Sequence, residues 1–146
     1  MASGFLVLPD GRCLARRMLA HDEVVRAIAN EVVVEPLRKW LLEQLPGPDD
    51  ELSIGYGPWF RKSDRTIVPR IIDVRLMTLE NQQLFCDAVK RAALVHHDEE
   101  WPARSLSDFA DMISRMERGE LPHTKSDWIH VLPPRGERIG PGWPAE

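Results

Sequence analysis

The chain has 146 residues, with 19 Lys and Arg against 23 Asp and Glu and a formal net charge of −4, a balance that suits one globular domain and excludes wholesale disorder. Its longest strictly apolar run, Phe5 to Leu8, is too short to cross a membrane, and the N-terminus has neither the basic nor the long apolar stretch of a secretory signal. Two cysteines, Cys13 and Cys86, are too few for a disulfide framework, so a reduced, cytoplasmic protein is expected.

Gly4 to Leu8 is apolar and strand-prone, Pro9-Asp10-Gly11 supplies a turn, and beyond it Cys13 and Ala15 alternate with Arg12, Leu14 and Arg16. Proline presets φ, aspartate bonds its own backbone and glycine accepts a positive φ, so the segment predicts a β-hairpin. From Asp22, read as an N-cap with Glu23 in the first turn, Val24, Val25, Ile28 and Val32 fall on one helical face. Pro36 interrupts that pattern, which resumes with Leu37, Trp40, Leu41 and Leu45 and stops at Pro46-Gly47-Pro48. The segment near 22–45 is therefore one kinked helix or two.

Residues 49–58 read as a loop with three acids. Trp59 to Lys62 and Thr66 to Leu76 read as strands around a Ser63-Asp64-Arg65 turn. In the second, Ile72, Val74 and Leu76 alternate with Asp73 and Arg75, which predicts one buried and one wet face, and Pro69 marks an edge or a bulge. Thr78 is the expected N-cap of a helix over 79–95 that turns Leu84, Phe85, Ala88, Ala92 and Val95 inward. A polar break follows. Ser105 and Asp108 resemble a capping box, opening a helix near 106–118 with Leu106, Phe109, Ala110, Ile113 and Met116 inside and Gly119 as a left-handed cap.

The expected architecture is thus α+β over 1–132. A small antiparallel sheet, built from the N-terminal hairpin and the strands near 59–76, is packed by three or four helices near 22–45, 79–95 and 106–118. The Pro- and Gly-rich segment 133–146 is expected to be an extended tail, partly docked through Ile139 and Trp143.

No phosphate loop, GxGxxG, GxSxG, HExxH or CxxC motif occurs, so no catalytic residue, metal or cofactor is predicted. His96, His97, Asp98, Glu99 and Glu100 are ligand-type residues, but neighbouring side chains on an extended backbone diverge. His21-Asp22-Glu23 reads as a helix start rather than an acid–base pair. Cys86 reads as a small buried hydrophobe. Cys13 has Arg12, Arg16 and Arg17 close in sequence, which would favour a thiolate, yet the strand-core reading comes first.

Three functions fit these residues. The leading one is a protein-binding module, since five tryptophans and two acidic stretches suit an interface. Small acidic domains of this kind often neutralise a partner, so the most concrete form is an inhibitor or immunity-type protein acting on a toxin or effector. Its candidate contacts are Asp49, Asp50, Glu51, Trp59, Asp98, Glu99 and Glu100. An alternative is an enzyme whose site is assembled from distant residues such as His21, Asp73, Arg75 and His97. A second alternative is an anion-binding, nucleic-acid-associated surface made by Arg61, Lys62, Arg65, Arg70 and Arg75 beside Tyr56, Trp59 and Phe60. A sequence pI of about 5.7 speaks against nucleic acid as the partner.

Overall fold

The protein is described by a computed structural model over residues 3–45, 60–61, 66–67, 70–96 and 102–120. Strands β1 (Ser3–Val7) and β2 (Cys13–Arg17) form the expected hairpin, in the register Val7 to Cys13 and Ser3 to Arg17. Its loop follows from three residues. The Gly11 N–H donates to the Leu8 carbonyl at 2.8 Å, closing a turn with Pro9 and Asp10 at its centre, and Gly11 itself takes φ 101°. A type I turn followed by a left-handed glycine is a common three-residue hairpin connection. The Asp10 carboxylate locks it by accepting from the Arg12 N–H at 3.1 Å and from Arg12 Nε at 2.7 Å.

Helix α1 (Met18–Glu31) starts directly at the end of β2, and α2 (Glu35–Glu43) follows after an extended connection at Val32 and Val34. The 22–45 segment is therefore two helices. The break coincides with three consecutive β-branched valines, Val32 to Val34, and with Pro36 in the first turn of α2. Asp22 is not the cap expected of it: the helix begins four residues earlier, and Asp22 is buried in the second turn. The C-terminal carbonyls of α1 have no partner within the helix, and arginines from elsewhere supply one. Arg91 Nη2 donates to the Glu31 carbonyl at 2.7 Å, and Arg38 donates to the Val32 carbonyl through Nε at 3.1 Å and Nη2 at 2.7 Å.

Strands β3 (Phe60–Arg61) and β4 (Thr66–Ile67) make a separate two-stranded antiparallel ladder, in the place where the sequence predicts a hairpin. Strand β5 (Arg70–Asp73) instead joins the N-terminal hairpin, giving the order β2-β1-β5. The class is α+β, but the main sheet is mixed rather than wholly antiparallel, because β5 lies parallel to β1 from Gly4–Arg70 to Val7–Asp73. Parallel pairing puts β1 in the centre with both faces covered, which suits its unbroken apolar run. Leu6 and Val7, which point to opposite faces, are both buried, as are Ile71 and Ile72.

The wet face predicted for residues 72–76 is absent. Asp73 is buried and Val74–Leu76 form a single 3-10 turn, because the Asp73 carboxylate accepts the Arg75 N–H and ends the strand. Helix α3 (Leu79–Val95) then begins where predicted, with Thr78 Oγ1 accepting the Asn81 N–H at 3.1 Å. Its buried face carries Phe85, Cys86, Ala88, Val89 and Ala92. That stripe is rotated from the predicted one: Leu84 is half-buried and Val95 is exposed.

Helix α4 (Ala103–Glu117) starts two residues before its supposed capping serine, after Pro102. It ends as the sequence predicts. Gly119 has φ 72°, its N–H donates to the Met116 carbonyl at 3.0 Å, and the Glu120 N–H donates to the Arg115 carbonyl at 2.9 Å. These paired bonds are the Schellman arrangement, which satisfies carbonyls that the helix cannot.

Helix α1 packs on β1, β2, α2 and α3, and α3 packs on α4. One cluster runs from the sheet's inner face (Leu6, Leu8, Leu14, Ile72) through Val24, Ile28, Leu37 and Leu41 to Phe85, Leu106, Phe109 and Ile113. The rings of Phe85 and Phe109 meet edge to face at 6.1 Å between centroids, a geometry that adds electrostatic attraction to area burial. The expected tail from residue 133 lies outside the described residues. Among those described, no helix is long and apolar enough to cross a membrane.

Candidate functional site

The sheet gathers one polar cluster. Val7 pairs with Cys13 on one side and with Asp73 on the other, so all three side chains leave the same face of the sheet. Asp73 closes β5, and Arg75, two residues later, turns back onto it. Asp73 Oδ1 accepts from the Arg75 N–H at 3.0 Å and from Nε at 2.9 Å, while Oδ2 accepts from Nη2 at 2.7 Å. The planar guanidinium and the carboxylate thus meet as two forks, the strongest form of this pair. The bond to Asp73 raises the Arg75 pKa above its ordinary value, with burial acting the other way. Both charges are satisfied by each other.

Cys13 is the nucleophile-type residue nearest this pair. Burial pushes its thiol from 9.0 up to about 12; a hydrogen bond from the Leu6 backbone opposes that, Asp73 adds to it, and Arg75 offsets part. Cys86 rises to about 11, again chiefly by burial, with Glu117 adding and Lys90 opposing. Nucleophilic attack needs the thiolate, and burial disfavours that form in both groups. Both cysteines are free and buried. The arginines beside Cys13 in sequence do not activate it, because two of them are bound elsewhere.

Those two make the contacts that sequence reasoning missed. Arg12 is buried, and its Nη2 donates to the Glu120 carbonyl at 2.7 Å, just beyond α4. Arg16 donates through Nε to Ser105 Oγ and through Nη2 to Asp108 Oδ2, both at 3.0 Å, in the first turns of the same helix. Arg12, just before β2, and Arg16 within it thus hold α4 at both ends. Ser105 and Asp108, expected to form a capping box at the start of this helix, serve instead as the acceptors for Arg16. The signal available in sequence was an arginine on the inward parity of a strand, shared with Leu14.

The enzyme alternative required His21 to meet Asp73 and Arg75. His21 sits under Gly4 so closely that a Cβ at residue 4 would overlap its ring. Gly4 is three residues from Val7 along β1, so His21 packs on the inner face and Asp73 leaves from the outer one. The fold brings Asp73 and Arg75 together and places His21 away from them, and His97 lies outside the described residues. So do Asp49, Asp50, Glu51, Trp59, Asp98, Glu99 and Glu100, together with Lys62 and Arg65 from the basic stretch. Of the remaining cations, Arg61 stands opposite Thr66 in β3, Arg70 opposite Gly4 in β5, and Arg75 is committed to Asp73. Among the described residues, no group of three His, Cys, Asp or Glu side chains is placed to hold a metal.

The chain gives no significant match to protein-family models, to curated proteins or to solved structures.

Proposed function

We propose that this chain is a small acidic cytoplasmic protein-binding module, most concretely an inhibitor or immunity-type protein that neutralises a partner such as a toxin. The observation that carries this reading is how the reactive side chains among the described residues are used. Asp73 and Arg75 satisfy each other, both thiols are held neutral, His21 is wedged under Gly4, and Arg12 and Arg16 fasten α4. These groups serve the fold. What faces outward includes large apolar side chains, with Leu19 and Leu79 more than four-fifths exposed and Leu94 at 73%. Apolar anchors among charges are what a binding surface uses. The acids Asp49, Asp50 and Glu51 and the run Asp98 to Glu100 supply the charge, and Trp59 an aromatic anchor.

The test is capture of the tagged chain from its native lysate at low and high salt, followed by expression of any stoichiometric protein partner alone and together with this chain. Toxicity of the partner alone, relieved by co-expression, is the expected result. Changing Asp49, Asp50 and Glu51 together to Lys should then slow association at least tenfold and leave unfolding unchanged, since charge acts mainly on encounter. Failure to retain any protein at a stoichiometric level overturns the reading. Retention of salt-labile nucleic acid alone would favour the basic segment instead.

A further inference from the structure

We draw no further inference here: the strongest candidate, the exposed apolar patch of Val33, Leu94 and Val95 where the C-terminal turn of α3 meets the connection between α1 and α2, carries nothing because nothing in the structure shows what covers it.

Discussion

The two faces of the three-stranded sheet are built on different principles. On the inner face, Leu6, Leu8, Leu14 and Ile72 merge into one apolar cluster with all four helices. On the outer face, Val7, Cys13 and Ile71 form a small cluster of their own, with Phe5 at its margin and the Asp73–Arg75 fork at its end. The first face is specified mainly by volume and shape, with the His21 ring packed beneath Gly4 and Cys86 within the apolar cluster. The second adds a buried thiol, whose pKa burial raises, and an ion pair in which each charge satisfies the other. One strand, β1, therefore couples a large, mainly apolar core to a small one that ends in an ion pair.

This contrast can be broken by mutation. On the inner side, Phe109→Ala should cost about 3–5 kcal/mol in urea unfolding, because the ring is fully buried against Phe85. A loss below about 1 kcal/mol would mean that α4 does not dock as described. On the outer side, Arg75→Ala should cost about 2–3 kcal/mol at pH 7 by leaving the buried Asp73 carboxylate without its guanidinium. Removing both charges, as Asp73→Asn with Arg75→Gln, should recover much of that. Equal losses in the single and double variants would show that the cost does not come from an unpaired Asp73 carboxylate.

The thiols give both sides a pH dependence, Cys13 in the outer cluster and Cys86 in the inner one. Each has a folded pKa raised above 9.0, to about 12 for Cys13 and about 11 for Cys86. The unfolded chain then releases these protons first as pH rises. The contribution is fully present below pH 9 and lost progressively above it, at no more than about 1.4 kcal/mol per pH unit for each thiol. Unfolding at pH 7, 9 and 10 should show this decline, and Cys13→Ala should flatten it. A slope unchanged in that variant would place the titration elsewhere. The smallest effect belongs to the entry of α3: Thr78→Ala should cost about 1 kcal/mol, through the lost bond to the Asn81 N–H, and Thr78→Ser should restore it.

Much of this fold is legible residue by residue. Pro9-Asp10-Gly11, Thr78 and Gly119 each act locally, and each appears where its own chemistry puts it. The inward faces of α1 and α2 also follow from spacing alone: Val24, Val25, Ile28, Val32, Leu37 and Leu41 are all buried. What sequence does not reveal is non-local. Asp22 and Ser105 have the right side chains for caps, but the helices start earlier, one straight from β2 and the other after Pro102, and tertiary packing buries both residues. Asp73 looks solvent-facing until its partner two residues later is seen to turn back. The parallel partner of β1 has no local sign, although the continuous run Phe5 to Leu8 carries a trace of it, since a strand wetted on one face would alternate. The candidate site divides in the same way. Burial alone disposes of the thiols, whereas the separation of His21 from Asp73 depends on strand register.

The position of β1 also has a consequence for synthesis. Its partner β2 leaves the ribosome within about ten residues, but β5 follows only after roughly 56 more, which takes about 3–11 s at ordinary elongation rates. Throughout that interval an apolar strand presents one open edge to the cell, a standing invitation to pair with another nascent chain. Closure of the Arg12 tie waits longer still, until Glu120 has emerged. Folding of the whole unit is thus expected to be governed by loop closure over long separations rather than by the speed of its helices.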